Sequence, residues 1–385
     1  MTKYFAPINT GEQFLISKEL NKNNFDFLRF FWATSVIYSH SYVIFYGVVK
    51  DTEPASIFTR NQIDLGTVAV YSFFIISGFL IAKSFENSSN TIEYLIKRIL
   101  RICPGFFIAF LVSVLFLGAL GTINSSHKFG QWKFYFQHLS PRRLTLNFLT
   151  LEAPKGAKTF SGNPLPDMIN EAFWTIQYEF TCYLLVPLLG VIGMIKRRWL
   201  ALLFFFISFT VLILQTLNVI TLNDNERNWI FLFPSELPIL LTLFFSGSCF
   251  YFYRNYIQRN TFLGLLSIAL ILFASRFILV LNLVLPFAGP YLLFYLAYHP
   301  RIRFNNFAKR GDYSYGLYLY GWPVQQLIVY FFAKQIGPNQ LFFIAFPIAF
   351  LFAYLSWHIV ESRFLKMKGL INKRVLVKQA IVTGV

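Results

Sequence analysis

Residues 102–121 read ICPGFFIAFLVSVLFLGALG and residues 277–298 read FILVLNLVLPFAGPYLLFYLAY; neither stretch holds an Asp, Glu, Lys or Arg. A helix needs about 20 predominantly apolar residues to cross the hydrocarbon core of a bilayer. Both stretches have that length and are apolar on every face, which a water-facing helix is not. Similar runs lie near 25–47, 66–84, 173–195, 199–221, 233–253, 260–276, 313–333 and 340–360. Together with 99–121 and 278–298 they predict an all-α, polytopic membrane helical bundle of about ten transmembrane helices. Composition agrees: 56% of the 385 residues are hydrophobic and 13% charged, against roughly 25% charged in a soluble domain. Lipid permits that deficit because helices facing hydrocarbon need no polar outer face.

The net charge of +17 has a membrane explanation. With the N-terminus in the cytoplasm, 22 of the 34 Lys and Arg residues fall in inside segments. Most of the outside ones sit in a single long loop, where charge counts little for orientation. The pattern predicts cytoplasmic N- and C-termini and needs no nucleic-acid partner. The expected division is a cytoplasmic segment 1–24, a ten-helix domain 25–362 and a basic cytoplasmic tail 363–385. Residues 1–24 are polar and no small-residue cleavage site follows the first apolar run, so no cleaved signal peptide is expected. Cys103, Cys182 and Cys249 lie in apolar runs with neither a disulfide framework nor metal-ligand spacing. No metal is expected. The loop 122–172 holds Pro141, Pro154, Pro164 and Pro166 and reads as irregular. Its aromatic cluster Trp132, Phe134, Tyr135 and Phe136 suits either a sugar-stacking platform or an interfacial belt.

Ionisable groups inside spans are costly and face polar interiors. The first span reads NFDFLRFFWATSVIYSHSY over residues 24–42. Arg29 and His40 are three helical turns apart, so they share a face at about 16 Å along the axis, and Asp26 stands one turn before Arg29. In the second span, Ser77-Gly78 is a small-residue step that admits a close backbone or ligand. Arg98 and Arg101, one turn apart at the start of the third span, are placed either to grip phosphates or to anchor the helix at the membrane surface. Glu179, buried in the fourth span, needs a partner: His40, an acceptor hydroxyl or a buried Arg.

In this order and spacing the motifs resemble those of the acyltransferase 3 family of membrane O-acyltransferases over roughly residues 20–365. The parts that carry the likeness are Asp26-x-x-Arg29 with His40, Ser77-Gly78-Phe79, Arg98-x-x-Arg101-Ile102-x-Pro104, Trp174-Thr175-Ile176-x-x-Glu179 and Ser314-Tyr315-Gly316-x-Tyr318. Many members carry a His where this chain has Gly321, and a Pro where it has Arg363. The soluble esterase-like domain that some members append is not expected here. The resemblance implies a bacterial inner-membrane enzyme that takes an acyl group, typically acetyl, from acetyl-CoA and O-acylates an extracytoplasmic glycan. By motif position it implies His40 as the catalytic residue and Arg29, Arg98 and Arg101 as functional basic residues.

The expected mechanism follows. Arg98, Arg101 and Arg29 hold the phosphates of acetyl-CoA from the cytoplasmic side, with Ser77 and Gly78 beside the donor. His40 acts on the acceptor hydroxyl as general base or carries the acyl group itself. Glu179 orients the imidazole or the acceptor, and Trp174 and Tyr178 bind the acceptor, a glycan or lipid-linked sugar. A transporter of a lipid-linked glycan would use the same intramembrane polar groups, although no inverted repeat is visible.

Overall fold

The computed structural model describes residues 20, 22–122, 132–156, 158–191, 193, 197–222, 234–332 and 335–367. Most of the segment 1–24, the tail beyond 367, and the side chains of Trp132 and Phe134 lie outside the described residues. Among those described the chain is helical, with two isolated bridges and no strand. The helices in chain order are α1 (Phe25–Tyr46), α2 (Pro54–Phe58), α3 (Leu65–Glu86), α4 (Thr91–Val112), α5 (Gly118–Leu120), α6 (Trp132–His138), α7 (Pro141–Thr150), α8 (Trp174–Val191), α9 (Trp199–Thr216), α10 (Leu237–Phe252), α11 (Thr261–Ala274), α12 (Ile278–Ala297), α13 (Ser314–Phe332) and α14 (Pro338–Ser356). A π turn at Ser113–Leu117 joins α4 to α5, and another at Trp357–Glu361 follows α14.

A helix occupies each stretch that the apolar runs mark. Among the described residues five, Leu65–Glu86, Thr91–Leu120, Trp199–Thr216, Ile278–Ala297 and Pro338–Met367, are long and apolar enough to cross a membrane. Phe206 and Ile207 on α9 and Phe262, Leu265 and Phe273 on α11 are exposed, a surface suited to lipid rather than water. This is a membrane protein. Helix starts follow capping chemistry: Asp64 accepts from Thr67 N at 2.8 Å ahead of α3, and Asn90 from Glu93 N at 2.8 Å ahead of α4. Buried Asn24 ties the start of α1 to the end of α12, donating to Leu296 O at 3.1 Å and Ile302 O at 2.8 Å.

The long loop departs from the irregular course expected of it. Its Pro141 does not break structure but occupies the first turn of α7, behind an N-capping Ser140. Tyr135 on α6 is fully buried, with its hydroxyl donating to Val114 O at 2.7 Å. It is a packing residue and presents no face to a sugar.

The core sits where α1, α3, α10 and α13 meet. α3 and α10 cross at Gly78 and Gly247. A Cβ at Gly78 would lie 1.8 Å from Phe244 O, and one at Gly247 2.0 Å from Ile75 O. Only glycine allows backbones that close. The Gly78→Ala variant is therefore expected to lose roughly 1–3 kcal/mol, read as a lower melting temperature in detergent. An unchanged melting temperature would mean that this crossing separates without cost.

Candidate active site

The arginines expected to act together do converge. Arg29 from α1 and Arg98 and Arg101 from α4 line two adjoining chambers, which share these three side chains and Leu80. The inner chamber holds about 110 Å³ and is walled by Ser77 and Val70 of α3, Thr175 and Glu179 of α8, and Tyr315 and Tyr318 of α13, among others. Along α3 it runs from Val70 to Ile81, roughly 16 Å of helix axis. The outer chamber is wider, about 530 Å³, and adds Lys83, Asp312 and Trp357.

Asp312, just ahead of α13, ties the arginines together. Its Oδ2 lies 2.5 Å from Arg101 and 3.4 Å from Arg29, and its Oδ1 accepts from Ser314 Oγ at 2.5 Å. Burial alone would raise this carboxyl's pKa; the Arg29 and Arg101 guanidiniums outweigh it and hold the group below its ordinary range. Arg29 also pairs with Asp26, as the one-turn spacing suggested. Arg98 is held differently, donating to Ser84 Oγ at 3.0 Å with its guanidinium 5.8 Å from the Tyr94 and Tyr183 ring centres. The Nε atoms of Arg29 and Arg98 are buried and bond to nothing. Two donors thus stand ready for an anion.

Glu179 lies inside the inner chamber, where Ser77 Oγ donates to it at 3.0 Å and the Tyr183 hydroxyl donates as well. Its carboxylate is engaged with these hydroxyls rather than with the imidazole. Ser77 faces the chamber, whereas its neighbour Gly78 is closed off by α10. Trp174 and Tyr178 pack edge to face at 5.6 Å and are not among the residues lining either chamber.

His40 is half-buried and is not among the residues lining either chamber. Tyr318 is among the residues lining the inner chamber; its hydroxyl lies 2.5 Å from Thr175 Oγ1 and its ring meets Phe73 edge to face at 6.0 Å. One turn further along α13, about 6 Å, Trp322 meets the His40 ring edge to face at 4.9 Å. The imidazole Nδ1 is buried and has no hydrogen-bond partner. On its far side the loop closes over α13: Trp322 Nε1 donates to Met168 O at 3.1 Å, and Gln326 Nε2 to Leu165 O at 2.8 Å. Gly321 fits this arrangement, since a Cβ there would lie 2.7 Å from Ile37 of α1.

Two carboxylates around the outer end of α1, Asp64 and Glu53, were not anticipated from sequence. Asp64 accepts from Ser39, the residue before His40, at 3.2 Å. Glu53, fully buried in the α1–α3 connection, accepts from Leu65 N at 3.0 Å and Ser56 N at 3.0 Å. Burial pushes the Glu53 carboxyl above its ordinary pKa. An Asp or Glu just ahead of an apolar run, in capping position, was the available signal.

The chain matches the model of the acyltransferase domain family, acyltransferase 3, over residues 22–358. It is 26% identical over 361 residues to a Shigella phage Sf6 protein named O-acetyl transferase, covering 90% of this chain and 97% of that protein. It is also 26% identical over 385 residues to Nodulation protein 10 of Rhizobium leguminosarum bv. viciae, covering 93% and 97%. No solved structure matches. A family match over most of the chain, carried on a helical bundle whose motif arginines meet in one cavity, has a direct consequence: this protein belongs to the acyltransferase 3 family and is an O-acyltransferase.

Proposed function

We propose that the enzyme spans the bacterial inner membrane ten times, with both termini in the cytoplasm. It takes acetyl from acetyl-CoA and transfers it to a hydroxyl of an extracytoplasmic or lipid-linked glycan. The observation that carries this reading is the pair of adjoining chambers: a wide, arginine-rich mouth beside a smaller, mostly apolar cavity, whose lining residue Tyr318 stands one helical turn before the Trp322 that packs on the half-buried His40 ring. Phosphates suit Arg29 and Arg98, whose Nε donors are unused. The narrow chamber suits the pantetheine arm.

In the transfer itself, a C–O bond forms between the acceptor oxygen and the acyl carbon, and the C–S bond breaks to release CoA as its thiol. His40 takes the hydroxyl proton in a direct route, or accepts the acyl group first in a two-step route; the family's enzymatic class favours either over transport. His40 does not line the chamber and packs on Trp322, one turn past Tyr318, so the acyl group and the imidazole meet only if the α13 side chains here shift. Glu179, held by Ser77 and Tyr183, faces the donor's path rather than the base.

The test is transfer of radiolabelled acetyl from acetyl-CoA in membrane vesicles, scored on the surface glycan. In that assay Arg98→Ala is expected to raise the KM for acetyl-CoA about tenfold or more, as loss of a charge-assisted phosphate contact implies, with kcat less affected. An unchanged KM would reduce Arg98 to a surface anchor.

A further inference from the structure

The outer chamber differs in chemistry from the inner one, and Trp357 makes the difference. We propose that it is a subsite for an adenine nucleotide, the 3′-phosphoadenosine end of a CoA thioester, whose base stacks on the Trp357 indole. The inference rests on the acyl-CoA reading above and adds to it the residue that recognises the base.

Three observations point there. First, the lining cations Arg29, Lys83, Arg98 and Arg101 outnumber the carboxylates, and both carboxylates, Asp26 and Asp312, are already spent on Arg29 and Arg101. With the unused Nε donors of Arg29 and Arg98, the chamber is prepared for anionic oxygens. Second, Trp357 is the one aromatic side chain among its described lining residues, set among the aliphatic Leu80, Ala308 and Leu365. An inorganic anion has no use for an indole, whereas a purine does, because every base presents a π face for stacking. Third, the ring is held in place. The π turn Trp357–Glu361 swings Trp357 to the chamber while sending Glu361 inward to accept from Ser356 Oγ at 2.9 Å; such turns recur at functional sites. The indole edge packs on Gly311, where φ is +155° and a Cβ would sit 2.6 Å from Trp357 Nε1. Only glycine fits there. The volume of about 530 Å³ lies within the range of small-molecule sites.

The experiment is equilibrium binding to the purified full-length protein in detergent, using radiolabelled CoA, 3′-phosphoadenosine 5′-phosphate and 4′-phosphopantetheine. Wild type is expected to bind CoA and the nucleotide in competition. Trp357→Ala is expected to weaken both by about tenfold and leave phosphopantetheine unchanged, which also shows the variant to be folded. Trp357→Phe should keep most of the affinity. The subsite is overturned if Trp357→Ala binds CoA like wild type, or if it loses phosphopantetheine by the same factor. Binding of phosphopantetheine without the nucleotide would overturn the subsite and spare the acyl-CoA reading; a wild type that binds no CoA would overturn both.

Discussion

Replacing His40 with Ala is expected to abolish acetyl transfer while leaving the protein folded. General-base assistance is worth about 10²–10⁴ in rate, and an acyl-carrying role would make the loss complete. The fold should survive because the ring packs edge to face on Trp322 and its Nδ1 holds no hydrogen bond. Removing it orphans no partner, the usual source of a large destabilisation. The measurement pairs acetyl transfer in vesicles with a melting temperature in detergent. A folded His40→Ala protein with full activity would remove the imidazole from the chemistry.

The opposite signature is expected at Asp312. This carboxylate is buried and faces two guanidiniums, so Asp312→Ala strips Arg101 of its ion-pair partner and leaves Arg29 with Asp26 alone. Breaking a buried ion pair from one side costs about 3–5 kcal/mol, and the melting temperature should fall by many degrees. The pH dependence has a defined sign. A carboxyl whose folded pKa lies below its unfolded value, about 3.9, contributes its full stability above that value. It loses the contribution only as pH falls further, through the depressed folded pKa. Wild type should hold its melting temperature down to about pH 4 as far as this group is concerned, and Asp312→Ala should sit below it throughout. A variant as stable as wild type would show that water, rather than Asp312, compensates the arginines.

Much of the bundle was legible because lipid forces one answer: an apolar run of twenty residues has to be a helix. The misjudged edges are those where the solvent changes. α4 begins at Thr91 rather than near 99, since TIEYLIKR over 91–98 is amphipathic and its polar face hides it from an apolar count. Pro141 read as a breaker because a proline interrupts a helix interior and starts a helix equally well.

The site divides along the same line. Spacing along single helices brought out Arg29, Arg98, Arg101, Ser77 and Glu179, which line one cavity. Relations between helices were hidden. Asp312 gains its meaning from α1 and α4, more than 200 positions away in the chain; the signal available was that two arginines inside spans require a counter-charge. The His40 ring packs on Trp322, one turn past the chamber-lining Tyr318 of α13, and no periodicity within α1 reports what α13 carries. Trp357 owes its position to a π turn, which leaves no mark on a 3.6-residue pattern.

The claim on which everything else depends is that the arginine-lined mouth opens to the cytoplasm and admits the acyl donor. Ala308 lines that mouth. In a background with Cys103, Cys182 and Cys249 replaced, the Ala308→Cys protein would be treated with a membrane-impermeant maleimide in inside-out and right-side-out vesicles, with and without CoA. The expected result is labelling in inside-out vesicles alone, slowed by CoA. Labelling from the opposite face, or at a rate indifferent to CoA, would contradict it.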